Sequence, residues 1–366
     1  MQVQLGCLQH LDFIFIENTA DGSPSFLAVV SIDLTPINRS FYIAKEGWLT
    51  KAFGLAFNRY FEQWMFIIIP FSLIAGFIFA DTLSSMVAAV PYLFAYVTLT
   101  MALGCGVREL GAVMKRPGVL AWTLVLAHVL CPIIAYSLGT LLFGASSPYV
   151  VGLVLFTIIP LGVSTVLWVG MSGGSVPLML AMVVIDSALC PFVVPAGLHL
   201  FFQTAVEIES APLMLDLLLI IVLPTLLGVL LHQWSRGRLL EQVKPVAAPL
   251  SKLCFVAVVA LNAAAIAPYT EQLKGDLLKI LPLVVLLVSL CYAVGFIGTM
   301  RGASKEVQIT VSFATGMRNI SLGMVLALGY FSPLAAVPVV LSIMVQQPLA
   351  TLHHFILQKL QKGERI

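Results

Sequence analysis

Residues 154–170 read VLFTIIPLGVSTVLWVG, and residues 311–329 read VSFATGMRNISLGMVLALG. Each is an apolar run interrupted at its middle, the first by Pro160, Gly162, Ser164 and Thr165, the second by Thr315, Gly316, Arg318, Asn319 and Ser321. Proline removes a backbone donor and glycine relaxes the helix, so each run can break and expose amides and carbonyls. In a membrane such exposure is tolerated only where protein or a watery cavity supplies partners. The residues around the two runs decide whether a membrane is their setting.

They do so through composition. Of 366 residues, 60% are hydrophobic and 10% charged, where a soluble domain carries roughly 25% charged residues. So few charges cannot coat a globule of this size. A transmembrane helix takes about 20 apolar residues, so ten spans would consume roughly 220 positions, close to the hydrophobic fraction. Barrel strands are about ten residues of alternating polarity, unlike the long continuous runs here. The 19 basic and 17 acidic side chains are too balanced for a nucleic-acid partner. Six cysteines form no CxxC pair, and five lie in apolar stretches, so neither a disulfide framework nor a metal centre is implied. The N-terminus lacks a basic n-region and does not read as a cleaved signal peptide. The expected fold class is an all-α polytopic membrane protein whose first partner is the lipid bilayer.

Apolar runs broken by charge, Pro/Gly or Ser clusters place spans at 63–80, 87–104, 118–143, 149–171, 175–202, 211–232, 246–268, 277–299, 305–330 and 333–358. Basic residues test the layout, because cytoplasmic loops are rich in Lys and Arg. Fifteen of the 19 fall on one side: Arg39, Lys45, Lys51, Arg59, Arg108, Lys115, Arg116, Arg236, Arg238, Lys244, Arg301, Lys305, Lys359, Lys362 and Arg365. The opposite loops hold Lys274 and Lys279, with acids such as Asp81, Glu207, Glu209, Glu271 and Asp276. Both termini are then expected in the cytoplasm, and the short loops point to a bacterial inner membrane. Residues 1–60, of mixed polarity with turn signals at Asp21–Pro24 and Thr35–Pro36, read as a cytoplasmic appendage without a core. Residues 61–358 form the membrane domain, and 359–366 a cytoplasmic tail.

The two interrupted runs are spans 4 and 9, the same position in each half of five, about 61–202 and 211–358. An odd number of spans per half forces the halves to be inverted. Gly162 then matches Gly316, and Thr165 matches Asn319. Paired broken helices in inverted repeats mark the midplane site of a secondary transporter, although Pro and Gly are also common in ordinary membrane helices.

The notable charges inside spans are Asp186 in span 5 and Arg318 in span 9, each costing about 2.5–3.5 kcal/mol to insert at a helix centre. The economical arrangement has them facing each other or sharing a polar cavity. One reading is an ion pair that locks the bundle. The other has Arg318 clamp a substrate carboxylate, helped by half-helix N-termini, with Asp186 carrying a coupling proton. Ser164, Thr165, Asn319 and Gln347 are candidates to bind substrate beside Arg318, and Thr315 to serve the coupling ion with Asp186; Pro160, Gly162 and Gly316 shape the crossover. Gln346, Gln347 and Pro348 occupy the stretch of span 10 that matches Asp186–Pro191. His128 and His232 read as packed histidines, His353 and His354 as interfacial ones, and Lys252, near the start of span 7, as able to snorkel.

With these residues in hand, the chain over roughly 60–358 resembles the bile acid:sodium symporter superfamily. Ser312–Asn319 is similar to that family's S-x-E-x-G-x-Q-N element, and Pro160–Thr165, with Gly174 and Leu189–Pro191, to its P-G-G-x-x-S-N crossover and following helix. The resemblance implies ten spans with crossed helices 4 and 9, a core and a panel domain, and sodium-driven uptake of organic anions. It also implies sodium ligands that are mostly missing. The acidic ligand of span 9 falls on Ala314 and the Gln on Arg318; the Ser-Asn pair falls on Thr165 and Val166; the hydroxyl ligands of span 5 fall near Met179 and Val183. Two sodium ions with one carboxylate leave one net positive charge, and Arg318 with Ala314 supplies the same charge without an ion. The expectation is a secondary transporter of a small organic anion that is sodium-independent or proton-linked and needs no cofactor. A conventional sodium symporter, and a channel or sensor on the same fold, are the alternatives. A membrane-embedded aspartyl protease would need a second central Asp, and no HExxH zinc motif occurs.

Overall fold

The computed structural model describes residues 5–8, 11–14, 54, 56–58, 60–61, 64, 67–114, 117–202, 210–269 and 275–362. The chain divides into two units, Met1–Leu49 and Thr50–Ile366. In the first, strands β1 (Leu5–Leu8) and β2 (Leu11–Ile14) pair antiparallel, Leu5 opposite Ile14 and Leu8 opposite Leu11. The hairpin departs from the expectation of an all-α chain with an irregular appendage; two four-residue strands are too short to give a readable period. The rest of the appendage and the tail beyond 362 lie outside the described residues. So do Arg39, Lys45, Lys51, Arg59, Lys115, Arg116, Lys274, Arg365, Glu207, Glu209 and Glu271 of the charge pattern.

The second unit is helical among its described residues. Its elements are α1 (Ile67–Ile78), α2 (Ala80–Ala102, with a 3-10 stretch at Ser84–Ala89), α3 (Val107–Met114), α4 (Pro117–Phe143), α5 (Pro148–Ile158), α6 (Thr165–Ser172), α7 (Val176–Phe202), α8 (Ser210–Ser235), α9 (Arg238–Ile266), α10 (Leu277–Gly298), α11 (Lys305–Gly316), α12 (Ile320–Tyr330) and α13 (Pro333–Lys362). Seven of them, α2, α4, α7, α8, α9, α10 and α13, are long and apolar enough to cross a membrane. The chain is thus a multi-pass membrane protein. Helices α5, α6, α11 and α12 are each too short: the 11 residues of α5 rise about 16 Å, against roughly 30 Å of hydrocarbon.

Local signals account for these short helices. The Ser147 hydroxyl accepts from the Tyr149 amide and the Ser304 hydroxyl from the Val307 amide, capping α5 and α11 at their outer ends. Gly173, at φ 80°, ends α6 in the left-handed region. The interrupted runs open at 159–164 and 317–319. The structure differs from the sequence reading in three places, the first being α2, which begins at Ala80 rather than 87. Helix α9 runs through Pro245 and Pro249 and starts at Arg238 rather than near 246, which moves Lys252 from its beginning to its middle. Helix α3 is an additional short helix in a stretch read as a basic loop.

Helices α5 and α12 are buried nearly all round, as a helix apolar on every face must be, and α11 is buried from Ile309 onward. Helix α8 instead turns Leu219, Leu226 and Leu230 outward, each at least half exposed, a face suited to lipid rather than water. Small residues let the central helices approach. A Cβ on Gly152 of α5 would stand 2.0 Å from the Ala335 carbonyl oxygen of α13. Backbone cannot yield as a side chain does, so Gly152→Ala is expected to destabilise the fold by about 2 kcal/mol, read as a lowered melting temperature of the detergent-solubilised protein.

Candidate functional site at the helix crossover

The two breaks meet. Leu161 lies opposite Arg318 in a short antiparallel bridge. The Gly162 amide donates to the Met317 carbonyl at 3.0 Å, and the Asn319 amide to the Pro160 carbonyl at 2.8 Å. Backbone groups freed by one break are thereby satisfied by the other. Gly162 is required at this approach, since a Cβ there would lie 2.8 Å from the Arg318 carbonyl oxygen.

Groups pointing away from the bridge are taken by side chains from the following helices. The Leu161 amide donates to Asp186 Oδ2 of α7 at 2.7 Å. The Arg318 amide donates to Gln346 Oε1 of α13 at 2.8 Å, and Gln346 Nε2 donates back to the Arg318 carbonyl at 3.2 Å. Gln346 thus serves as a third strand one peptide long. Asp186 and Gln346 hold corresponding places, one helix beyond each break.

Asp186 and Arg318 form no ion pair with each other, contrary to the sequence expectation. Asp186, 1% exposed, engages His128: Nε2 lies 2.7 Å from Oδ1. His128 Nδ1 lies 3.1 Å from the Ile158 carbonyl at the end of α5. Arg318, also 1% exposed, donates through Nη2 to the Ala127 carbonyl at 2.7 Å, and its guanidinium lies beside the Cys131 thiol. Nε and Nη1 have no hydrogen-bond partner among the described residues. Both contacts come from one irregularity of α4, a π-helical turn at Leu126–Leu130. There the Cys131 amide reaches back to Leu126, which releases the Ala127 carbonyl from its usual helical partner and turns it, with His128, to the crossover.

On the other side of the bridge lies a cavity of about 250 Å³. Residues 162–164 before α6 and 319–321 at the start of α12 reach its wall, so two half-helix N-termini converge there. Neither N-terminus is capped by its own side chain, Ser164 or Asn319. Lys252 of α9 is also part of the lining. Its Nζ donates to the Asn58 carbonyl at 3.0 Å and sits 5.7 Å above the Phe61 ring. Phe94, Phe255 and Ile343 supply apolar wall, and among the described residues no carboxylate lines the cavity. Arg318 belongs to the wall as a residue, but its guanidinium is bonded to α4, which contributes nothing to the cavity.

The other sequence candidates divide between these places. Ser164 and Gln347 line the cavity, where Gln347 Nε2 approaches the Ser164 hydroxyl at 3.4 Å and Oε1 accepts from Trp168 Nε1 at 3.0 Å. Asn319 lines it too. Thr165 is fully buried, and its Oγ1 has no partner among the described residues. The Thr315 hydroxyl donates within α11 to the Val311 and Ser312 carbonyls. Gly316 packs against the Tyr292 ring. His353 and His354, read as interfacial, are bonded inward to the Ser312 and Ser172 hydroxyls at 2.9 and 2.7 Å.

The positions expected to ligate sodium do not suit it. Met179, Val183 and Ala314 are fully buried hydrocarbon or thioether, and Thr165 offers the one side-chain oxygen of the set. Sodium is a hard cation that needs several oxygens.

Fold and site define a class: a multi-pass membrane protein with paired broken helices beside a cavity lined by Lys252, apolar side chains and the polar Ser164, Asn319 and Gln347. The model of the Sodium Bile acid symporter family matches residues 90–268. The chain is 32% identical over 296 residues to "Uncharacterized protein YbaS" of Bacillus subtilis, spanning 81% of this chain and 97% of that one. It is 23% identical to the "Uncharacterized sodium-dependent transporter YocS" of the same organism, over 72% and 81% of the two chains. It is 28% identical to the rice chloroplast "Probable sodium/metabolite cotransporter BASS1", over 68% and 60%. The chain belongs to the sodium bile acid symporter family of membrane transporters.

Proposed function

We propose that the protein is a secondary transporter that moves a small organic anion by alternating access, without sodium and with proton linkage. The observation that carries this reading is the cavity on which two half-helix N-termini and Lys252 converge. Helix N-termini present unpaired amides and partial positive charge, and an ammonium adds three donors. A carboxylate is the complementary ligand. The apolar walls take the remainder of the substrate, and a volume below the roughly 300–1,000 Å³ of drug-sized pockets suits a small acid.

The reading includes ten spans: the seven long helices, α1, and the discontinuous pairs α5–α6 and α11–α12. They form inverted repeats, about 61–202 and 211–358, supported by the matching roles of Asp186 and Gln346 one helix beyond each break. Both termini face the cytoplasm of a bacterial inner membrane. The substrate binds between the crossover and a panel that includes α1, α2 and α9, and rocking of one against the other exposes it to either side. Arg318 stands in for bound cation. Its backbone follows the C-terminal end of α11, and its fixed charge is held at the Ala127 carbonyl of α4.

The test is uptake of a panel of radiolabelled short-chain carboxylates into proteoliposomes, under a sodium gradient and then a proton gradient. The expected result is uptake without sodium that rises when the outside is made acid. Strict sodium dependence would overturn the ion-surrogate reading, and no uptake of any acid would overturn the substrate class.

A further inference from the structure

The side chains of His128 and Asp186 tie together the two ends of the first helix break. The Ile158 carbonyl meets His128 Nδ1, His128 Nε2 meets Asp186 Oδ1, and Asp186 Oδ2 takes the Leu161 amide. The chain of contacts begins at the last residue of α5 and returns three residues later, bracketing Ile159 and Pro160. Neither side chain lines the anion cavity.

The proton count of this clamp follows from its partners. The Ile158 carbonyl can only accept, so Nδ1 must carry a hydrogen. A second proton must lie between Nε2 and Oδ1, because two lone pairs cannot face each other at 2.7 Å. Whether that proton sits on nitrogen or oxygen, the pair holds two protons and is neutral overall. That neutrality suits its burial, with side chains 7% and 1% exposed.

We propose that His128 and Asp186 form a proton-binding site that clamps the crossover, the pair releasing one proton to water when the clamp opens. This rests on the proton-linked reading above and assigns it to a site. On release the pair becomes singly negative and water becomes hydronium. The remaining imidazole proton can serve Ile158 or Asp186 but not both, so one contact of the clamp breaks. The break at 159–161 then loses one of its ties, and Leu161 is the residue paired with Arg318.

Other charged and titratable groups nearby are few among the described side chains. Cys190 lies one turn further along α7, within electrostatic reach of Asp186. Arg318 is bonded to the carbonyl preceding His128, with Cys131 and Cys291 beside it. Helix α5 offers the carbonyl of Ile158, its one titratable side chain being Tyr149 at the opposite end. The π turn of α8 packed on α7, Leu218–Val222, carries none.

The test uses the full-length protein with 15N-labelled histidine in lipid nanodiscs, without substrate. Ring-nitrogen shifts of His128, assigned with His128→Gln, are followed with pH, and hydrogen exchange is followed at 159–162. The expected result is a protonated Nδ1 throughout the acid range and one titration step that Asp186→Asn abolishes. Protection of 159–162, corrected for intrinsic exchange, should fall about tenfold across that step in the wild type. It should not change with pH in Asp186→Asn or, if that variant does not fold, in His128→Gln. A His128 step unaltered by Asp186→Asn, an unprotonated Nδ1, or protection independent of pH in the wild type would each overturn the proposal. Because no anion is present, these results are separate from whether the protein carries one.

Discussion

Arg318→Gln is expected to lower the maximal rate of carboxylate uptake at least a hundredfold, with a smaller change in KM. The guanidinium is buried against α4 and makes a charge-assisted bond to the Ala127 carbonyl, a bond of about 1.5–3 kcal/mol. That carbonyl has already lost its helical partner to the π turn. Glutamine is too short to reach it with the same geometry and carries no charge, so a buried carbonyl is orphaned, at about 1–3 kcal/mol. Together these approach 3 kcal/mol, and each 1.4 kcal/mol is a factor of ten in the population of the competent crossover. Arg318→Lys keeps the charge without the planar fork and should recover part of the rate. Initial rates in proteoliposomes across substrate concentrations provide the measurement. Wild-type uptake by Arg318→Gln would remove both the clamp and the surrogate roles, whereas a pure rise in KM would return Arg318 to the substrate.

Lys252→Gln is expected to do the reverse, raising KM about thirtyfold with little effect on the maximal rate. Lys252 lines the cavity together with residues from the two helix N-termini. Loss of a charge-assisted hydrogen bond to a carboxylate costs about 1.5–3 kcal/mol, and binding to a cavity walled by phenylalanines loses little of this to salt screening. The ammonium also holds the Asn58 carbonyl, which the glutamine amide can still approach as a neutral donor, so the fold should survive. Melting temperatures of the two proteins, measured together with the kinetics, separate binding from stability. An unchanged KM would place the anion elsewhere.

These two residues show what the sequence made legible. Arg318 stood out because a charge beside an interrupted apolar run has few uses, and the interruption itself was readable from Pro160, Gly162 and Gly316. Its direction was not readable. A side chain four bonds long can reach either side of the bridge, and what settles the matter is a carbonyl released by the π turn in α4, for which Leu126–Leu130 gives no compositional sign. The supposed Asp186–Arg318 pair failed for the same reason: each found a partner in α4 before it could find the other. Lys252 was misplaced because Pro245 and Pro249 look like the end of a loop, yet α9 continues through both. Prolines interrupt a membrane helix only where its neighbours do not compensate. His128 is the histidine that sequence reasoning discounted. Its one signal, a polar group four residues before Pro132, the proline inside span 3, gains meaning only when Asp186 is brought beside it.

The π turn of α4 also changes how that helix can vary. An ordinary α-helix presents one continuous stripe to its neighbours, whereas α4 presents two, offset by the single surplus residue. Before the turn, Trp122 reaches the Gly298 carbonyl of α10; after it, Gly139 lies against Val150 and Leu153 of α5. Removing one residue between Leu126 and Leu130 would merge the stripes and rotate one of these contacts by about 100°, while withdrawing Ala127 and His128 from the crossover. Length in this stretch is therefore constrained as strictly as identity: a chain with every side chain conserved but one residue fewer would keep its helix and lose its centre.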